Sequence, residues 1–303
     1  MEYVLTTNEL TKTYKKASAV DRVSMHVARG EIYGFVGRNG AGKTTVMRLI
    51  CGLVNKSGGS YTLFGKKDGE PGIDGARRRV GAIIETPSVF PEYTAQDNLR
   101  VRCAALGADE RKIGSVLEYV GLSGTGKKKA RNFSLGMRQR LGIAAALMGS
   151  PDLLVLDEPI NGLDPQGIVE VRELLLRLNR EKGITVLISS HILGELSKLA
   201  TSYGFIERGA LIREVSAREL EEACRKSVRI TVSDTEKLPY ILERGLGISD
   251  FKILSPAEAD IYGEINIGEL ALALHAGGVS LFRVREKDED LEGYFINLVG
   301  GEK

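Results

Sequence analysis

Cysteine is scarce in this chain: three residues in 303. Cys51, Cys103 and Cys224 are scattered, odd in number and without C-x-x-C spacing. That pattern excludes a disulfide framework and a cysteine-based metal site, and it fits thiols kept in a reducing compartment. Long apolar runs are lacking as well. The strongest, near Leu141 to Met148, is far too short to cross a bilayer. The start, Met1-Glu2-Tyr3-Val4-Leu5, has no basic stretch followed by an apolar core, so a cytosolic chain without a secretory signal is expected. Nor does charge of one sign accumulate. The formal net charge is +2, and bulk charge gives no reason to expect a polyanion partner. The local basic runs Arg77-Arg78-Arg79 and Lys127-Lys128-Lys129 read as solvated surface. What remains is an ordinary soluble composition, 43% hydrophobic and 27% charged, with length enough for two domains.

Glycine is plentiful, and one glycine cluster carries chemistry. The apolar run Ile32-Tyr33-Gly34-Phe35-Val36 is followed by Gly37-Arg38-Asn39-Gly40-Ala41-Gly42-Lys43-Thr44 and then by Val46-Met47-Arg48-Leu49-Ile50. That is strand, glycine-rich loop and helix, with the pattern G-x-x-x-x-G-K-[ST] at the junction. Glycines let the backbone N–H groups point inward at phosphate oxygens, and the helix presents its positive end to the same anion. Gly37, Asn39, Gly40, Gly42, Lys43, Thr44 and Thr45 are the expected nucleotide contacts. Lys43 reaches the β- and γ-phosphates, and the Thr44 hydroxyl ligates Mg²⁺. A nucleoside triphosphate is the expected ligand.

The order of elements around this loop is α/β. Strand-like segments run from Tyr3 to Thr7 and from Val20 to Val27, with another at Tyr61 to Phe64 after the turn Ser57-Gly58-Gly59-Ser60. Lys66 to Gly75 reads as a loop, and Val80 to Ile84 as a buried strand. Helices are expected over Ala95 to Leu106, Asp109 to Val120 and Leu135 to Met148, with a basic linker Lys127 to Arg131. Leu153-Leu154-Val155-Leu156 is an unbroken apolar run, as in a strand buried on both faces. Helix Gln166 to Glu181 and strand Ile184 to Ile188 complete a βαβ unit. Strands at Ser202 to Ile206 and Ala210 to Val215 turn at Arg208-Gly209. Beyond about Glu222 the order is strand Val228 to Val232, helix Glu236 to Arg244, strand Phe251 to Leu254, strand Ile261 to Ile265, helix Glu269 to Ala276 and strand Ser280 to Val284. That is the ferredoxin-like order βαββαβ, closed by a helix from Asp290 to Leu298. The acidic run Asp288-Glu289-Asp290 reads as a charge cluster at that helix's N-terminus.

A phosphate-binding loop needs an acid to hold the metal and a group to orient water. The strand ending Leu156-Asp157-Glu158-Pro159 offers both: Asp157 to hold Mg²⁺, directly or through water, and Glu158 to accept a proton from attacking water. Two surface acids capping a strand would look the same in isolation; the glycine loop in the same chain favours the functional reading. His191 follows the strand Ile184 to Ile188 at the edge where open α/β sheets place ligands, and a neutral imidazole there could hydrogen-bond a γ-phosphate oxygen.

Read together with Phe133-Ser134-Leu135-Gly136-Met137-Arg138-Gln139 and Asn161-Gly162-Leu163-Asp164, these motifs resemble the nucleotide-binding subunits of ABC transporters over about residues 3 to 215. The resemblance implies a P-loop NTPase of the ABC-ATPase fold: a RecA-like core with an antiparallel β subdomain and a helical subdomain. It implies a nucleotide-binding domain over residues 1–220, with the helical subdomain at about 86–150, and a small α+β accessory domain over 221–303. It also implies site roles. Tyr14 resembles the aromatic that stacks on adenine, and Ser134 and Gly136 the signature residues that grip ATP bound to an opposite subunit. Asp164 resembles the acid that contacts the partner's phosphate loop, Glu158 the residue polarising water, and His191 the switch residue. ATP and Mg²⁺ are the implied cofactors. The implied partners are integral membrane permease subunits and a second copy or related ATPase, with no nucleic acid, at the inner face of the cell membrane. A soluble ABC-type ATPase working on ribosomes or DNA is the alternative.

Two motifs depart from the family pattern, the signature L-S-G-G-Q and the Gln-bearing loop. Leu135 stands at the first signature glycine and Met137 at the final glutamine, so a side-chain amide contact is lost while Ser134 and the helix N-terminus remain. In Gly81-Ala82-Ile83-Ile84-Glu85-Thr86-Pro87, Glu85 replaces the usual Gln. Its carboxylate can ligate Mg²⁺ or orient water but cannot donate as an amide does. Both departures resemble the exporter subgroup tied to self-protection against bacitracin and lantibiotic peptides.

Overall fold

In the computed structural model, residues 2–15, 17–263, 265–287 and 291–300 are described. They fall in two units, Met1–Ala217 and Arg218–Lys303. The acidic run Asp288-Glu289-Asp290 lies outside the described residues.

The first unit begins with an antiparallel sheet. Its strands are β1 (Tyr3–Tyr14), β2 (Ala17–Val23) and β3 (His26–Ala28), joined later by β5 (Gly58–Leu63) and β6 (Lys66–Lys67). The stretch expected as one strand from Val20 to Val27 breaks at Ser24-Met25. The buried Thr7 hydroxyl fills the break, donating to the Val23 carbonyl and accepting from the Met25 N–H. Next come β4 (Ile32–Val36), α1 (Lys43–Ile50), β5 (Gly58–Leu63) and β6 (Lys66–Lys67). The segment Lys66 to Gly75 is therefore not simply a loop. It carries β6 and the start of α2 (Ile73–Arg77), which Gly72 caps at φ 94° while Ile73 and Ala76 bury in the core.

Then follow β7 (Val80–Ile83), α3 (Ala95–Leu106), α4 (Ile113–Tyr119) and α5 (Leu135–Leu147). The helix expected from Asp109 is a 3-10 turn at Glu110–Lys112 leading into α4. Thr94 caps α3 by accepting from the Asp97 N–H, and the Asp97 carboxylate accepts from the Thr94 hydroxyl. Such reciprocal capping satisfies donors that a helix start leaves free. The unit closes with β8 (Leu153–Asp157), α6 (Pro165–Lys182), β9 (Thr185–Ser190), α7 (Leu193–Leu196), β10 (Ser202–Glu207) and β11 (Ala210–Ser216). The run Arg77-Arg78-Arg79 is less solvated than its composition suggests: Arg77 donates to the Tyr61 hydroxyl, and Arg79 lies over Phe64 and pairs with Asp152.

The second sheet runs β11-β10-β4-β9-β8-β7, parallel except for the β10–β11 hairpin. Its register brings the strand ends together: Val36 opposite Ser190, Asp157 opposite Ser189, and Ile83 opposite Leu156. Ligand chemistry in open α/β sheets gathers at this C-terminal edge. One apolar cluster joins Leu5, Val23 and Leu63 of the antiparallel sheet to Val46, Met47 and Ile50 of α1 and to Phe35, Val155 and Leu187 of the parallel sheet. Helix α1 is thus fixed from both sides.

After α8 (Ala217–Ala223), the second unit contains β12 (Ser227–Val232), α9 (Leu238–Tyr240), β13 (Phe251–Ser255), β14 (Glu258–Tyr262), α10 (Ile267–Ala276), β15 (Leu281–Lys287) and α11 (Leu291–Gly300). The sheet order β13-β14-β12-β15, all antiparallel, is that of a ferredoxin-like βαββαβ unit. Two elements differ from expectation. The strand placed at Ile261 to Ile265 lies at Glu258–Tyr262, because Gly263 turns the chain at φ 99° and Asn266 caps α10. The helix placed at Glu236 to Arg244 is short and continues as a π turn over Ile241–Gly245. Pro239, lacking an N–H, sits in its first turn.

Candidate functional site

The loop between β4 and α1 wraps a cleft of about 190 Å³ lined by residues 38–45 with Ala19 and Glu158. Its shape requires glycine. Gly42 caps α1 at φ 110°, and a Cβ there would stand 2.6 Å from the Ala19 carbonyl oxygen. Lys43 is 5% exposed, and its ammonium donates to the Gly37 carbonyl at 2.6 Å. The loop's own carbonyl thus holds a cation at the mouth of the cleft, beside backbone amides suited to an anion.

Two neighbouring strands supply the acids. Asp157 ends β8 and is 3% exposed. The Thr44 hydroxyl donates to its Oδ2 at 2.7 Å, and the Ser189 hydroxyl donates to its Oδ1 at 2.6 Å. The same Ser189 oxygen accepts from the Glu158 N–H at 2.9 Å. Glu158 adopts φ 49°, a left-handed conformation that costs a non-glycine residue about 1–3 kcal/mol. That backbone turn aims its carboxylate at the cleft. His191 Nδ1 lies 2.7 Å from Glu158 Oε2, and the His191 N–H donates to the same oxygen at 3.3 Å. On the other side Oε1 is buried without a well-directed hydrogen bond, with Lys43 Nζ 3.3 Å away. One carboxylate therefore spans the phosphate-loop lysine and the imidazole.

A second cluster lies at two helix starts. Ser134 caps α5, accepting from the Met137 N–H at 3.2 Å, and Asp164 caps α6, accepting from the Gly167 N–H at 3.2 Å. A Cβ on Gly136 would stand 3.6 Å from Gly167 Cα, and a Cβ on Gly162 would stand 3.4 Å from Leu135 Cδ2. The two caps sit side by side through glycine contacts. Accepting from an N–H leaves the Ser134 hydroxyl proton free to donate outward.

These elements match known proteins in sequence as well as shape. The family model for ABC transporters matches residues 20–161. The bacitracin transport ATP-binding protein BcrA of Enterococcus faecalis is 40% identical over 302 residues, covering 99% of this chain and 98% of that protein. The chain belongs to the ABC transporter ATP-binding subunits. The lantibiotic transport ATP-binding protein SrtF of Streptococcus pyogenes is 43% identical over 211 residues, covering 70% of this chain and 90% of its own. The dimeric structure of the bacterial ABC transporter cassette MJ0796 superposes with a TM-score of 0.63 at 25% identity, over 71% of this chain and 99% of that one. The chain is accordingly an ATP-binding and ATP-hydrolysing motor subunit. Its relatives do not favour the alternative of a ribosome- or DNA-directed ATPase.

Not every expected site residue joins the ABC cleft. Tyr14 ends β1, half-exposed, with Lys12 Nζ 4.8 Å from its ring centroid, and it does not line the cleft. The cleft wall is Ala19, two residues into the returning strand β2 from its start at Ala17. Glu85 follows β7 at φ 67°; its side chain is 61% exposed and paired with Arg48 of α1. Ser189 and Arg48 went unread as site residues. The Ser189-Ser190-His191 run at a strand end was the available signal for Ser189. No spacing rule connects Arg48 to Glu85.

The donor set suits a hard cation. A hydroxyl and a carboxylate converge at Thr44 and Asp157, and Mg²⁺ takes few protein oxygens while keeping water and phosphate ligands. Among the described residues no cluster of three or more acids, histidines or cysteines could hold a metal alone. A metal here would depend on nucleotide phosphates. Cys51 lies outside this cleft, in the groove beside the Glu85 loop, and burial pushes its thiol up to about 12.

Proposed function

We propose that this chain powers export of a membrane-active peptide antibiotic, giving resistance or self-immunity, as the motor of separate membrane permease subunits. The support is relationship along nearly the whole chain to a protein named for bacitracin transport, and over the cassette to one named for lantibiotic transport. Among the described residues no helix is long and apolar enough to cross a membrane. The permease subunits therefore carry the path, and the chain works peripherally at the inner face. A groove of about 360 Å³, lined by Leu53, Ile84, Pro87, Arg102 and Ala145 among others, lies beside the Glu85 loop and the helical insert. It is the surface through which motion reaches the permease.

The observation that carries the mechanism is the Glu158 carboxylate held between Lys43 and His191. Residues 37–45 cradle the phosphates through backbone N–H groups, with Lys43 on the β- and γ-phosphates. Tyr14 stacks on adenine. Thr44 and Asp157, with Glu85, would hold Mg²⁺. Such an ion would supply positive charge to neutralise the transferred phosphoryl group. Glu158 orients the attacking water and accepts its proton. His191 senses the γ-phosphate and fixes the Glu158 carboxylate through Nδ1. Ser134 and Gly136, with Asp164, belong to the nucleotide held by an opposite subunit. The working unit is a homodimer or a pair with a related ATPase, as in the dimeric MJ0796 cassette. Residues 221–303 form an accessory domain that supports or regulates the dimer.

The test is genetic and biochemical. Deleting the gene for this chain should sensitise cells to bacitracin or a lantibiotic, and Lys43→Ala should fail to restore resistance. Tagged chain should co-purify with polytopic membrane proteins. Unchanged sensitivity to both antibiotic classes would refute peptide-antibiotic export.

A further inference from the structure

Arg48 lies on α1 four residues beyond Thr44, the spacing that puts two side chains on one helix face. Its guanidinium donates to Glu85 Oε1 at 2.5 Å. Glu85 sits on the two-residue exit from β7 with a left-handed φ of 67°, and 61% of its side chain is exposed. The carboxylate is thereby engaged on α1, while the Thr44–Asp157 pair is closed on itself at 2.7 Å. An acid cannot serve a guanidinium and a cation site at once. We propose that Arg48 is a positioning residue that competes with the bound metal for Glu85, so that loading of metal and nucleotide releases the Glu85 loop from α1.

The inference rests on the reading of Glu85 as an acid drawn to the metal. It goes beyond that reading by naming the group that holds Glu85 back. The energetic scale follows from exposure. With side chains 35% and 61% exposed, the pair is a solvent-screened surface ion pair. If only the unpaired fraction of Glu85 is competent for metal, the apparent metal affinity falls by that fraction, a factor of about two to six. That is small enough to be overcome on every turnover and large enough to link metal loading to loop release. A purely local role, Arg48 steadying the negative C-terminal end of α1, would leave metal affinity unconnected to residue 85.

The measurement is a Mn²⁺ titration of the ADP-loaded full chain, read from the free-ion electron paramagnetic resonance signal. It compares wild type, Arg48→Ala, Glu85→Gln and the double variant. ADP binding is followed separately with a fluorescent ADP analogue. Arg48→Ala should tighten Mn²⁺ binding about two- to sixfold where Glu85 is present and leave it unchanged in the Glu85→Gln background. Arg48→Lys, which keeps a cation able to pair, should lie near wild type. Equal tightening in both backgrounds would mean a general field effect of the lost positive charge and would overturn the positioning role. No tightening, or weakening, would overturn it too. Wild-type chain that binds ADP but no Mn²⁺ would sink the metal-site reading and this inference together. Wild-type Mn²⁺ binding that ignores Arg48 sinks the inference alone.

Discussion

Ser189→Ala removes one oxygen that serves two acids. The hydroxyl is fully buried; it donates to Asp157 Oδ1 at 2.6 Å and accepts from the Glu158 N–H at 2.9 Å. A hydrogen bond to a charged group contributes about 1.5–3 kcal/mol, and a buried N–H left unpaired costs about 1–3 kcal/mol. With partial relaxation the folded first unit should lose about 2–4 kcal/mol. For a unit of this size that lowers Tm by about 5–9 °C. The larger consequence is catalytic. Asp157 and Glu158 lose their common anchor, and Glu158 already holds a left-handed backbone that surrounding contacts must maintain. Steady-state ATP hydrolysis should fall about 10- to 100-fold in kcat, equivalent to about 1.4–2.7 kcal/mol of transition-state stabilisation. KM for ATP should move far less, because residues 37–45 keep their backbone cradle. A coupled-enzyme phosphate assay with parallel thermal melts separates the two effects. A kcat within twofold of wild type and an unshifted Tm would refute the reasoning.

Other outcomes follow from single contacts. In Gly204→Ala the new Cβ would stand 2.1 Å from the Tyr33 hydroxyl, which is buried and donates to Glu214 at 2.7 Å. Overpacking of this kind costs about 1–3 kcal/mol, so a thermal melt should show Tm lower by several degrees; an unchanged melt would contradict the packing. Cys51, its thiol pushed up to about 12 by burial, should be about 10⁴-fold under-populated as thiolate at pH 8. Iodoacetamide should label it only slowly in the native chain, with the rate rising about tenfold per pH unit; rapid native labelling at pH 7 would contradict its burial.

Much of the site was legible because its chemistry is local. The glycine loop, Asp157-Glu158 and His191 each occupy a few consecutive residues at strand ends, and parallel register then aligns those ends without further information. Ser134 and Asp164 were named only through the family resemblance, and the structure makes each the cap of a helix start. Ser189 was not legible, since its importance comes from lying across from Asp157 on an adjacent strand. The Arg48–Glu85 pair was hidden by a sequence separation of 37 residues. In the fold, strong apolar runs such as Leu153 to Leu156 located strands well. Elements ended by backbone turns were shifted: Gly263 stops β14 early, and Gly72 starts α2 inside a stretch whose glycine and charge read as loop. Ile261 to Ile265 misled because apolar residues continue past the turn.

The role assigned to Glu158 is tested most directly by Glu158→Gln. The amide keeps the shape of the side chain but cannot take a proton from water. With Mg²⁺ and radiolabelled ATP, the variant should retain uncleaved ATP through gel filtration, elute as a dimer, and show steady-state hydrolysis reduced by at least about 100-fold. Hydrolysis at the wild-type rate, with only ADP recovered from the protein, would contradict Glu158 as the group that accepts the water's proton.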